Sequence, residues 1–375
     1  MMQHLTNANA LTKNPRLASL DVLRGIIMIL LAAESTLLYH SLAGLPLTGF
    51  SRSLVQQFFH HPWNGLHFWD LVQPAFMTMA GAALYLSFHY KTVKGIRWEQ
   101  NWKPVLSRSF RLFLFGVGLH CIYAGKPVWE LWNVLTQLAV TTLIAYLIIR
   151  KSFYFQLCFS ILLLVLTDVC YKYVLLPGFS QPFVPHHNFG SWMDTVLMGK
   201  INEDGWVAVN FIPTAAHTIW GVLAGKLLAG GSGHRTKLKY LVAAGLAGLV
   251  AGYALEGLGI TPIIKRISTA SFVLASGGWV LLMMAFLYWL IDVERFNRYA
   301  WIATVVGMNA IFIYLFFETV GIQWLNGAVA IFAKPALAVT GAGAPAQALF
   351  SAFITLCLHW GLCYWLYKKG IFFKV

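Results

Sequence analysis

Between residues 59 and 84 the chain reads FHHPWNGLHFWDLVQPAFMTMAGAAL, which sets His60, His61, Trp63, Asn64, His67 and Asp70 at the end of a polar stretch and in the first turns of an apolar one. A carboxylate beside an imidazole is the pairing that takes and returns a proton near neutral pH: the carboxylate fixes the ring and the ring acts as base. Near a helix start, Asp70 also suits the plainer task of compensating the helix dipole. Other ionisable residues sit inside apolar runs, where each costs about 2.5–3.5 kcal/mol if left at mid-membrane. Asp168, Glu256 and Asp292 fall near the ends of such runs and read as solvated or paired, while His120, His217 and His359 read as donors to helix carbonyls. Glu34 and Glu318 lie deeper and are candidates for lining a polar cavity.

These residues need a scaffold, and composition says which kind. Of 375 residues 58% are hydrophobic and only 11% charged, with mean hydropathy +0.66; soluble domains carry about 25% charged residues, so a soluble single-domain protein is excluded. The net charge of +14 would suggest nucleic acid in a soluble protein. Here the basic residues stand between apolar runs, as cytoplasmic loops do, and nucleic-acid binding is not expected. The five cysteines form no CxxC pair and lie mostly within apolar runs, which predicts neither a disulfide framework nor a zinc site. The first apolar run lacks a small-residue cleavage pattern and reads as a membrane span rather than a removable signal.

A crossing helix needs about 20 mostly apolar residues, and ten windows qualify: 21–43, 67–90, 106–124, 129–149, 153–175, 206–229, 237–257, 271–292, 299–321 and 346–368. The stretch 322–345 is interrupted by Gly and Pro and reads as re-entrant or interfacial. With the N-terminus inside, only Arg52, Lys126, Lys172, Lys200, Lys265, Arg266 and Lys334 of the 27 basic residues fall outside, a bias that supports both count and orientation. The expected architecture is an all-α integral membrane bundle of about 10 transmembrane helices. Both termini are cytoplasmic, with a cytoplasmic tail over 1–20 and one polytopic domain over 21–375. The long outer loops, 44–66 and 176–205, are rich in His, Trp, Asn and Pro and point to an outward-facing site.

Four stretches carry a resemblance. RLASLDVLRGIIMIL (16–30) resembles an R-x-x-S-x-D-x-x-R-G opening, and HHPWNGLHFWDLVQPAFMTMAG (60–81) an H-x-x-W-x-G-x-x-x-x-D-L-V-x-P-x-F segment. The run 262–293, beginning PIIKRISTAS, is similar to P-x-x-K-x-x-x-T-x-S, and VVGMNAIFIYL (305–315) to G-M-N-A-x-x-x-Y. Together they resemble the heparan-α-glucosaminide N-acetyltransferase catalytic family of polytopic membrane acyltransferases, in its bacterial form.

The resemblance implies transfer of acetyl from cytosolic acetyl-CoA to an amino sugar or glycan acceptor across the membrane, with no metal. His60 takes the position of the active-site histidine, as base or acetyl carrier, with Asp70 beside it; Trp63, Gly65, Asp21 and Arg24 carry over from the same motifs. Trp63, Asn64 and Asn309 are candidate donors to an acceptor or oxyanion, and Arg24, Lys103, Arg108 and Arg111 are placed by topology to meet the phosphates of CoA. The sequence departs from the family where Asn133-Val134-Leu135-Thr136-Gln137 replaces G-V-L-Q-R, and it lacks the animal enzyme's luminal domain; both departures bear on the acceptor. A bacterial inner membrane is the expected location, and a homodimer is left open. The competing readings are a sugar or glycan transporter using the intramembrane carboxylates and an O-acetyltransferase of an envelope polysaccharide.

The orientation predicts a labelling pattern in a cysteine-free background. An impermeant thiol reagent added outside reaches a cysteine placed at Ser53 or Ser180 and fails to reach one at Thr92; the reverse pattern overturns the topology.

Overall fold

The computed structural model describes residues 17–373, and nearly all of the expected N-terminal tail, with Lys13 and Arg16, and the basic residue Lys374 lie outside it. The chain is 74% helical and forms an all-α integral membrane protein. Its helices are α1 Ala18–Ser35, α2 Leu38–Ala43, α3 Gly49–Gln56, α4 Val72–Val93, α5 Trp98–Ala124, α6 Val134–Ile148, α7 Phe153–Tyr173 and α8 Phe189–Met198. They continue as α9 Phe211–Ala229, α10 His234–Gly257, α11 Ala270–Leu287, α12 Ala300–Gly307, α13 Ala310–Phe316, α14 Asn326–Ala338 and α15 Ala344–Lys368. A 3₁₀ turn, Phe68–Leu71, opens α4, while π-helical turns extend α11 through Tyr288–Val293 and join α13 to α14 over Phe317–Leu325.

Seven helical runs, some including these turns, are long and apolar enough to cross a membrane, and the apolar α6 is shorter. Their burial differs in a telling way. The α11 run is mostly inside the protein, whereas α7 and α10 present residues such as Leu162, Val165, Leu166, Leu246 and Val250 outward. A helix apolar on its outer face is solvated by lipid, and its backbone groups are satisfied within the helix.

The centre is built on α4 and α9, which pack along each other and against α6 and α11. The approach is close because two glycines face each other's backbones: a Cβ on Gly81 would lie 1.9 Å from the Thr218 carbonyl oxygen, and one on Gly221 2.0 Å from that of Thr78. Small residues at such crossings let helices gain contact where no hydrophobic force between helices operates in lipid. On one flank, α1 packs against α12 and the π-helical end of α11; on the other, α10 covers α11.

Each of the ten windows contains helix, but 21–43, 129–149 and 206–229 do not fall on the seven runs long and apolar enough to cross, and two regions differ further from the expectation. The first window breaks at Leu37, whose φ is +62°, so that α1 ends and α2 begins there. The window 299–321 breaks after Gly307, and the segment from 310 to 338 forms one helical run through the stretch expected to be irregular. Packing on α15 holds this run, and Pro335 is accommodated in its last turn, where little helix remains to be disrupted.

Candidate functional site

The segment 57–71 is stitched into one geometry by its own side chains. Gln57 accepts the Trp69 N–H on its carbonyl at 2.9 Å and the Phe68 N–H on its side chain at 3.1 Å, and His67 Nδ1 bonds the Phe59 carbonyl at 2.9 Å. Gly65 takes φ +145°, and a Cβ there would meet the His61 ring at 2.6 Å; glycine is required at that bend. Asp70, 1% exposed, is the hub. Its Oδ2 accepts the His67 N–H at 2.8 Å and the His61 N–H at 3.2 Å, closing a capping box at the start of the 3₁₀ turn, while its Oδ1 lies 2.8 Å from Nδ1 of His60. One carboxylate therefore both caps the turn and bonds the His60 ring.

A second loop, 258–269, lies beside the first. Asn64 and Ile264 form an antiparallel bridge, the Gly65 N–H donates to the Ile263 carbonyl at 2.8 Å, and Arg266 donates to the Pro62 carbonyl at 2.7 Å. The loop is folded by the hydroxyls that follow it: Thr269 and Ser271 each donate to the Pro262 carbonyl at 2.7 Å, and Thr269 Oγ1 also accepts from Phe272 to cap α11. This arrangement delivers Lys265, only 7% exposed, to 3.0 Å from His60 Nδ1 and 3.7 Å from Asp70 Oδ1. Burial, reinforced by Lys265 and offset by Asp70, pushes the His60 imidazole down to about 4, so the ring is neutral at physiological pH. Burial likewise pushes the Lys265 ammonium down to about 8, against the pull of Asp70 and Glu34.

These groups open onto a cavity of about 220 Å³. His60 and Lys265 stand on its wall with Glu34 from α1, Gln73 from α4, Gln137 from α6 and Glu318 from the π-helical turn. Trp69, Trp132, Trp206 and Tyr314 supply aromatic surface. Trp206 meets the His60 ring edge-on at 5.4 Å between centroids and lies 5.4 Å from the Lys265 ammonium. Trp132 donates its indole N–H to Asp194 at 2.7 Å, Gln73 donates to Gln137, and the Tyr123 hydroxyl donates to Glu318 at 2.6 Å.

Other expected site residues lie elsewhere. The Trp63 indole N–H donates to the Phe183 carbonyl at 2.8 Å, Asn64 is exposed, and none of Trp63, Asn64 and Asn309 lines the cavity. Asn309 instead clasps the C-terminal segment, donating to the Ile371 carbonyl at 3.0 Å and accepting from Phe373 at 2.9 Å. Arg108 lies near enough to Arg24 and to Arg111 to be repelled by each, and Arg24 also pairs with Asp21 at 3.3 Å. Nε of Arg108 is buried without a partner among the described residues. Lys103 is exposed on α5 and is not among those mutually repelling charges.

Of the remaining buried ionisable groups, His217 bonds the Val273 carbonyl at 3.0 Å as expected. His120 pairs instead with Glu130 at 2.6 Å, and neither ring nitrogen of His359 has a partner among the described residues. Asp168 pairs with Lys172, Asp292 accepts the Ala18 and Ser19 amides, and Glu256 accepts that of Ile263. Sequence reasoning missed Lys265, Trp132 and Trp206 as site residues. Lys265 carried a signal: it is the Lys of the P-x-x-K-x-x-x-T-x-S stretch, set with Arg266 between apolar residues and hydroxyls, yet it counted only toward orientation and resemblance.

A helical membrane bundle in which a histidine, its carboxylate partner and a buried lysine meet beside a partly open cavity defines a polytopic membrane protein with an ionisable cluster at a pocket. The family described as heparan-alpha-glucosaminide N-acetyltransferase, catalytic, matches residues 16–255, and the chain belongs to that family of transmembrane acetyltransferases. The stretches around Lys265 and Asn309 lie beyond the matched residues. No curated protein matches the chain.

The neutral His60 links stability to acidity. Its value in the fold, about 4, lies below the ordinary 6.5, so the unfolded chain binds the proton first. His60 therefore contributes stability that is complete above pH 6.5 and lost as pH falls toward 4. The melting temperature in detergent is expected to fall across that window, and less steeply in His60→Gln; equal slopes would contradict the assignment.

Proposed function

We propose that the protein transfers acetyl from cytosolic acetyl-CoA to the amino group of a sugar or glycan on the opposite, outer face of a bacterial inner membrane. The observation that carries this reading is the His60–Asp70 pair opening onto a cavity that also holds Glu34 and Glu318. With Nδ1–H directed at Asp70, the Nε2 lone pair of His60 is the base, and Asp70 stabilises the imidazolium as it forms. The two carboxylates favour an acceptor that arrives as an ammonium, which supports an amino sugar over a hydroxyl acceptor, and the indoles of Trp132 and Trp206 suit the apolar face of a sugar ring. Asn133 and Trp206 are the cavity's N–H donors for the thioester oxygen as it gains charge.

We assign the donor's phosphates to Arg24, Arg108 and Arg111, whose only anionic partner among the described residues is Asp21, on Arg24. Arg24 and the cavity share a helix: Leu31, two turns further along the same face of α1, lines the cavity, and Glu34 lies about 15 Å along the axis from Arg24. That is a reach suited to a pantetheine arm, which would bring the thioester to His60 from the arginine end.

Purified protein supplied with labelled acetyl-CoA and a panel of amino sugars tests the reading: label on an acceptor supports it, and uptake into vesicles without acetylation would establish the carrier instead. His60→Ala is expected to lose about 10²–10⁴ in turnover while still binding acetyl-CoA, and His61→Ala to keep most activity; wild-type turnover in His60→Asn would sink the assignment. Arg24→Ala is expected to raise KM for acetyl-CoA more than it lowers kcat, because a phosphate contact acts equally in ground and transition states. An unchanged KM with a large loss of turnover would contradict it.

A further inference from the structure

Two partners claim one nitrogen. His60 Nδ1 lies 2.8 Å from Asp70 Oδ1 and 3.0 Å from Lys265 Nζ. Nδ1 either carries a hydrogen, which Asp70 accepts, or presents a lone pair, which an ammonium fills; a charged lysine has no acceptor to offer an N–H. With Lys265 neutral, Nδ1–H bonds Asp70 and the Nε2 lone pair is available as an acceptor. With Lys265 charged and donating, Nδ1 is bare and Nε2 carries the hydrogen. The proton on Lys265 thus decides whether Nε2 acts as acceptor or donor.

We propose that Lys265 is a positioning residue for the transfer reaction, exchanging a proton with Nδ1 of His60 so that the imidazole relays protons between the acceptor and a buried amine. The inference rests on His60 being the base of the proposed acetyl transfer. The acceptor ammonium gives one proton to Nε2 while the Nδ1 hydrogen passes to the neutral Lys265 amine. The freed amine attacks the thioester carbon; the C–N bond forms and the C–S bond breaks with its electron pair on sulfur. The second nitrogen proton goes to the thiolate, giving the thiol. The proton held on Lys265 then returns to Nδ1 as Nε2 releases its own to water, which leaves amide, thiol and one proton, with His60 and Lys265 as they began.

The surroundings favour such an exchange. Lys265 and Asp70 are both buried, the charged groups acting on His60 are Asp70 from the start of α4 and Lys265 and Arg266 from the loop before α11, and Glu34 and Glu318 line the same cavity. Burial brings the lysine to about 8, within reach of physiological pH, whereas an exposed lysine would hold its proton.

The test uses the purified full chain with acetyl-CoA and glucosamine. Wild-type kcat is expected to rise with pH through a midpoint near 8 and to level off above it as Lys265 becomes neutral. Lys265→Arg, which donates but keeps its proton, is expected to lose that limb and about 10² in kcat, with KM for acetyl-CoA changed by less than about threefold. Lys265→Met removes the neighbouring cation. The midpoint at which His60 gains its proton, read by mass spectrometry as the pH dependence of its carbethoxylation by diethyl pyrocarbonate, is expected to rise by about one unit or more. Wild-type kcat and pH profile in Lys265→Arg, or an unchanged midpoint in Lys265→Met, overturns the relay. The second measurement needs no acetyl transfer, so a shifted midpoint in a protein that acetylates nothing upholds the His60–Lys265 coupling and removes the proposed function instead.

Discussion

The site depends on one buried carboxylate being fully occupied. Asp70 is removed from water and accepts two backbone N–H groups and one imidazole, with a lysine 3.7 Å away. A buried charge is tolerated when its lone pairs are filled and a counter-charge stands near. Because those same bonds cap the turn that opens α4, the condition for burying the charge is also the condition for starting the helix. Since α4 crosses α9 at a glycine contact that admits no side chain, the carboxylate is fixed to a closely packed pair of helices. A catalytic group held this way gains the precision that a loop alone would not supply.

Residues of both charge signs line one cavity of about 220 Å³: Lys265 stands close to His60, and Glu34 and Glu318 share the lining, with Tyr123 donating to the latter. In the proposed reaction, an acceptor bearing an ammonium would be drawn toward the carboxylates, while the neighbouring cation lowers the affinity of His60 for a proton.

What the sequence disclosed tracks how local each feature is. Asp70 and His60 lie ten residues apart in one segment, so their types and spacing were readable, and the membrane class followed from composition alone. Lys265 reaches His60 from about two hundred residues away through a bridge between Asn64 and Ile264, and Trp132 and Trp206 arrive from two further loops; nothing in a linear pattern states such adjacency. The expectation for Asn309 failed for the complementary reason. A side-chain amide in a recognisable motif suggested a donor at the site, yet both ends of that amide are spent on the C-terminal backbone. The helical run through 322–338 shows the same limit: Gly and Pro lower local propensity, but packing along α15 decides the outcome.

The geometry of α1 constrains how one cavity can serve reactants from both sides of a membrane. Arg24 near its start and Glu34 near its end lie on a single rigid element, and the helix stops at Leu37, where the backbone turns left-handed. Leu31 lines the cavity from the same face that carries Arg24. In the proposed reaction, a donor anchored at the arginines would run along α1 to reach His60, and helix rise rather than loop flexibility would set the distance between anchor and reacting atom. The acceptor would meet a wall built from loops, 57–71, 200–207 and 258–269, whose residues come together at Trp206, His60 and Lys265. A donor whose handle is common to every turnover suits the rigid side; an acceptor whose identity varies between members of a family suits the loops, because loop residues change without disturbing the helix contacts that hold Asp70 in place.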